Sequence, residues 1–92
     1  MDEQKKSEIA RRLKSAEGHV RGVQRMVDEG AYCIDVVNQI AAIQSALKKV
    51  SGMVLDQHLH SCVTGAIRSP DAGAREKVIG ELLEVFEATG RV

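Results

Sequence analysis

Val36, Ile40, Ile43, Leu47, Val50 and Val54 are spaced 4-3-4-3-4, the period of one face of an α-helix. A stripe of that length demands a long helix with something apolar laid against it. The same spacing recurs in Ile9, Leu13, Ala16, Val20, Val23 and Val27. Two such stripes in a chain of 92 residues leave little room for a sheet and predict an all-α fold. Ala, Leu, Val, Ile, Glu, Lys and Arg dominate the composition, and Pro70 is the one proline, which favours the same reading.

The pattern predicts three helices with a long central one. The first runs from about residue 5 to 28 and ends at Gly30, a residue suited to a left-handed terminator. The second starts near Asp35 and continues to about residue 67. The segment RSPDAG (68–73) reads as a turn, with Pro70 stopping one helix and Asp71 placed to cap the next. Val78, Leu82, Val85 and Phe86 mark a shorter third helix. Gly18 and Gly22 lie inside the first helix, where each costs about 1 kcal/mol relative to Ala; a close helix crossing is the expected compensation. With no repeat or low-complexity run, residues 1–92 read as a single domain. So small a helical domain buries a modest core, and association with further copies is a natural source of stability.

Formal charge is zero but segregated. Between residues 4 and 27, Lys5, Lys6, Arg11, Arg12, Lys14, Arg21 and Arg25 face only Glu8 and Glu17. Residues 71–92 are net acidic. A concentrated basic segment suggests a polyanionic partner, the bland alternative being a solvated helix face. No apolar run is long enough to span a bilayer and none resembles a signal peptide. A cytoplasmic protein is expected, with Cys33 and Cys62 reduced rather than bridged.

Those two cysteines carry the sharper signal. Steps of four beyond Val54 land on His58 and then Cys62, and a step of three back from Val36 lands on Cys33. His58 and Cys62 are i and i+4, close enough on one face to share an ion. Cys33 is 25 residues from His58, about 38 Å along a straight helix, so one copy cannot close the set unless the helix breaks. Two antiparallel copies can: bringing Cys33 of one against Cys62 of the other centres the pairing near Leu47, the middle of the apolar stripe. Such a two-fold dimer carries two equivalent sites. Two thiolates and an imidazole form a soft, low-coordination set that suits Cu(I). Structural Zn(II) usually takes four protein ligands and is less well matched; Ni(II) and Co(II) are more distant options.

No helix-turn-helix spacing, zinc-finger pattern or aromatic stacking platform is visible. The basic residues of the first helix, with Lys48 and Lys49 mid-way along the second, could meet phosphates without reading bases. No catalytic constellation can be argued, so an enzyme is not expected.

The stretch GHVRGVQRMVDEGAYCIDVVNQIAAIQSALKKV (18–50), followed by HLHSC (58–62), strongly resembles the CsoR/RcnR family of bacterial metal-sensing repressors, over roughly residues 5 to 87. Within that family the copper-sensing branch is marked by Cys, His and Cys, matched here by Cys33, His58 and Cys62. Nickel- and cobalt-sensing relatives typically use more nitrogen ligands, including a histidine near the N-terminus, and the first eighteen residues here contain none. Formaldehyde-sensing relatives lack the second cysteine, and persulfide-sensing relatives lack the histidine. The resemblance implies an antiparallel dimer assembling as a dimer of dimers, a homotetramer. It implies apo-protein bound to double-stranded operator DNA and released by Cu(I), freeing copper-efflux genes. It further implies Tyr32 and Glu81 (in IGELLEVF, 79–86) as partners around the histidine, and basic contacts to DNA at Arg12 and Lys49, within the wider group Arg11, Arg12, Lys14, Arg21, Lys48 and Lys49. Two other readings stand beside this one: a thiol-based persulfide or redox sensor, and a Cu(I)-buffering protein with no DNA role.

Overall fold

The computed structural model describes residues 2–89. Helix α1 spans Glu3–Asp28 and α2 spans Cys33–His58. A π-helical turn, Leu59–Val63, follows directly, then a short α3, Thr64–Arg68, and α4, Ala72–Thr89. The chain divides into two units at residues 51 and 52.

In the N-terminal unit, α1 begins at a cap that the apolar pattern did not reveal. The Asp2 side chain accepts a hydrogen bond from the Lys5 N–H at 2.8 Å, satisfying one of the orphan donors of the first turn. At the other end Gly30 has φ +73°, as the sequence indicated. Gly30 N–H donates to the Val27 carbonyl and Ala31 N–H to the Met26 carbonyl, the paired bonds of a Schellman ending. The chain turns within four residues and α2 starts at Cys33, two residues earlier than expected. Ile9, Ala16 and Val23 of α1 and Ile43 and Val50 of α2 are buried. A hydrogen bond from His19 Nε2–H to Gln39 Oε1, 2.7 Å, ties the two helices together.

Half of each apolar stripe stays uncovered. Leu13 is 44% exposed, Val20 43% and Val27 60%, alternating with the buried positions of α1. Ile40 and Leu47 on α2 are each 42% exposed. An apolar groove between the helices is lined by Val20, Val23, Val27, Ile40 and Ile43, with Gln24 and Asp28 at its edge. The stripes are therefore wider than one protomer's own core requires.

The close crossing expected at Gly18 and Gly22 is not made inside the protomer. A Cβ at Gly18 would meet nothing within 4 Å, and one at Gly22 would meet only the tip of Arg25 at 3.7 Å. Neither glycine is needed to let α2 approach.

In the C-terminal unit, Val63 and Val78 are the buried apolar residues. Asp71 caps α4, as anticipated, by accepting from the Gly73 N–H at 2.9 Å. Arg75 donates to the Ser69 carbonyl, and Ser69 Oγ accepts from the Asp71 N–H at 3.1 Å, so the Ser69–Asp71 turn is fastened on both sides. With that cap, α4 starts at Ala72 and extends to Thr89, 18 residues, the shorter helix expected beside the 26 residues each of α1 and α2. Among the described residues no helix is long and apolar enough to cross a membrane.

Candidate metal centre and basic surface

Cys33 owes its position to the turn before it. The Schellman ending at Gly30 delivers Tyr32 as the residue whose carbonyl accepts the first bond of α2, from the Val36 N–H at 3.2 Å. Cys33 is consequently the first residue of the helix, with its thiol free and the residue exposed. Tyr32 is 68% exposed.

His58 is the last residue of α2 and is half-buried. Cys62, also free and exposed, lies in the π-helical turn. The helix pattern placed both on a regular α-helix, and here the structure differs. The Thr64 N–H bonds to the Leu59 carbonyl, five residues back, which widens the turn relative to an α-helix. Side chains support it. Thr64 Oγ1 donates to that same Leu59 carbonyl at 2.7 Å. His60 Nδ1–H donates to the Asp56 carbonyl at 2.8 Å, with the Asp56 carboxylate 3.4 Å away. π-turns of this kind recur at functional sites in helices, and this one holds Cys62.

Two thiols and a histidine thus occupy the two ends of α2 and the turn just beyond it. Among the described residues, no group of three His, Cys, Asp or Glu side chains within the protomer could hold an ion. As a donor set, two exposed sulfurs and one imidazole fit a soft monovalent ion in low coordination. Glu81 is exposed on α4.

The basic residues are exposed on α1 and α2. Arg12 pairs with Glu8 at 3.5 Å and Arg21 with Glu17 at 2.7 Å, each one turn apart. Such exposed pairs are worth about 0.3–0.5 kcal/mol, little enough for a phosphate to displace. Arg11, Lys14, Lys48 and Lys49 form no ion pair among the described residues.

Comparison with known proteins decides the family. The model of the family described as "Metal-sensitive transcriptional repressor" matches residues 5–88. The chain belongs to that family. Repressors of this kind are not enzymes, and regulation of transcription entails contact with DNA. The chain is 48% identical to the copper-sensing transcriptional repressor CsoR of Bacillus subtilis over 82 residues, 89% of this chain and 78% of the relative. It is 45% identical to the copper-sensing transcriptional repressor RicR of Mycobacterium tuberculosis over 89 residues, 97% and 88% of the two chains. Among solved structures, the copper-sensing repressor CsoR with Cu(I) from Geobacillus thermodenitrificans superimposes with a TM-score of 0.88 at 41% identity, covering 99% of this chain and 92% of that one. The nickel-responsive regulator InrS gives a TM-score of 0.72 at 36% identity, covering 89% of each chain. The family and the helical fold agree with the resemblance carried by residues 18–50 and 58–62.

Three features of the site had no place in the sequence reading: the π-turn, the Thr64 hydroxyl that supports it, and the Asp56–His60 pair. Only the last had a visible signal, its i, i+4 spacing.

Proposed function

We propose that this protein is a cytoplasmic Cu(I)-responsive repressor. Its metal-free form binds double-stranded operator DNA, and Cu(I) binding at Cys33, His58 and Cys62 releases it. The observation that carries the reading is the placement of the three soft donors. Cys33 opens α2 and His58 closes it, with Cys62 in the turn beyond. An unbroken α-helix of that length separates its ends by about 38 Å, so two antiparallel copies supply the complete set, Cys33 from one protomer and His58 and Cys62 from its partner. The uncovered halves of the apolar stripes, including Ile40 and Leu47, support such a homodimer. The naming of the relatives as copper-sensing supports the metal. Pairing of dimers into a homotetramer would widen the basic surface made by Arg11, Arg12, Lys14, Arg21, Lys48 and Lys49.

The chain's residues have separable roles. Cys33 and Cys62 give up their protons to become ligands, which makes occupancy pH-dependent. His58 ligates through one ring nitrogen and is oriented through the other; Tyr32 and Glu81 are the proposed partners there. Cys33 of one protomer and His58 and Cys62 of its partner would hold Cu(I), which when bound would supply a link between the two chains. A coupling of about 1–3 kcal/mol per site, the usual range, changes DNA affinity 5- to 150-fold.

Anaerobic Cu(I) titration, followed by X-ray absorption and by the anisotropy of labelled promoter DNA, tests this. One Cu(I) per protomer with two sulfurs and one nitrogen, and loss of DNA binding at the same equivalence, is expected. His58→Ala should bind DNA normally and respond weakly to Cu(I). A variant that releases DNA with wild-type response would exclude the coupling route through His58.

A further inference from the structure

The His19–Gln39 hydrogen bond links the two helices that carry the basic residues. Gln39 offers its carbonyl oxygen, an acceptor only, so His19 Nε2 carries hydrogen. The remaining ring nitrogen, Nδ1, is where a further proton binds. Protonation leaves the Nε2–H···Oε1 bond intact, because Nε2 is a donor in both states.

Position gives that charge a use. Lys5, Arg12 and His19 recur every seven residues. Seven residues are nearly two helical turns, so the three share one side of α1 at steps of about 10 Å. That is about three base-pair steps of DNA at 3.4 Å each. On α2, Gln39, Ala42, Ala46 and Lys49 are spaced 3-4-3 and share one stripe. The His19–Gln39 bond sets this stripe beside the Lys5–Arg12–His19 line. Lys14 and Arg21 fall on the opposite side of α1.

Resting on the repressor reading above, we infer that Lys5, Arg12, His19 and Lys49 form one phosphate-contacting edge, in which His19 is a proton-dependent contact. Histidine is the side chain whose charge ordinarily changes between pH 5 and 8. The metal-free protein therefore holds DNA through one more charge per protomer under mildly acidic conditions than under mildly alkaline ones.

The charged groups around the ring are few. On α1, its neighbours one turn away are Ser15, Ala16, Gly22 and Val23, and Arg12 lies two turns away. On α2, Asp35 is one turn before Gln39 on the same stripe, and Lys49 lies further along it. Glu8 pairs with Lys5 at 3.9 Å and Arg12 at 3.5 Å. Those exposed pairs yield to phosphate at little cost.

The test uses metal-free full-length protein and a fluorescein-labelled 30-base-pair duplex of random sequence, since phosphate contacts are independent of sequence. Affinity is measured against salt at pH 6 and pH 8 for wild type, His19→Gln and His19→Lys. Wild type should show a salt slope steeper at pH 6 by about 0.9 for each His19 that meets a phosphate. His19→Gln should lose that pH difference and keep the shallower pH 8 slope, whereas His19→Lys should show the steeper slope at both. An identical pH difference in wild type and His19→Gln would overturn the inference while leaving the repressor reading standing. If wild type binds no duplex at either pH, the DNA reading itself fails, and this edge with it.

Discussion

Replacing Gly30 by Ala should destabilise the protein, and replacing Gly18 by Ala should stabilise it. The contrast follows from backbone geometry alone. Gly30 sits at φ +73°, where an L-residue with a Cβ pays about 1–2 kcal/mol. No atom lies within 4 Å of the added Cβ, so the cost is conformational with no clash to add. Gly18 is inside α1, again with nothing within 4 Å; there Ala gains about 1 kcal/mol in helix propensity. At about 2.1 cal/mol/K of unfolding entropy per residue, a chain of this length shifts its Tm by about 5 °C per kcal/mol. Gly30→Ala should therefore melt about 5–10 °C lower and Gly18→Ala about 5 °C higher, by circular dichroism at one fixed protein concentration. Fixed concentration matters because association contributes to apparent stability. A Gly30→Ala protein melting at or above wild type would refute the left-handed ending, and with it the account of how Tyr32 and Cys33 are delivered to the start of α2. A Gly18→Ala protein that melts lower would show a neighbouring chain packed against that glycine.

Three further outcomes are expected. Asp71→Ala removes the N-cap of α4 and should cost about 1 kcal/mol, read as a lower urea midpoint with an unchanged slope. Thr64→Val deletes a hydroxyl bond in the π-turn, worth about 1 kcal/mol; amide exchange should quicken at Leu59–Val63 and stay as it was in α1. Lys49→Ala should weaken DNA binding uniformly across sequences and lower its salt slope by about 0.9 for each phosphate that the lysine had neutralised, while Cu(I) stoichiometry stays unchanged.

The parts of this molecule that sequence reveals are those governed by near neighbours. The 4-3 spacing of Ile9–Val27 and Val36–Val54 announces two helices because burial of one face repeats with the helical turn. Gly30 and Asp71 announce their turns because a left-handed backbone and an orphan N–H each accept few residue types. Spacing also brings out Cys33, His58 and Cys62 as a set. It cannot reveal the π-turn, because the sequence from Val54 to Cys62 continues in steps of four as though the helix were regular. The change depends on backbone bonds reaching five residues back, as from Thr64 to Leu59, and on side chains that accommodate them. Nor can it reveal His19 against Gln39, twenty residues apart, a pairing that exists only once the hairpin has formed. The stripes read as core, whereas Leu13, Val20 and Val27 are exposed. An apolar period says that a surface will be covered, not whether its own chain or another will cover it.

The wide turn at Leu59–Val63 also affects how such chains are compared. Counting four positions from His58 to Cys62 suggests one ordinary coil of helix, yet this coil accommodates an extra residue. A single-codon deletion there would restore ordinary winding and, because the wide turn takes up the extra residue locally, would leave α3 facing as it does now. Two homologues with the same three donors would in this way space their histidine and second cysteine differently while presenting the same side of the helix beyond, and an alignment would record only a one-residue gap.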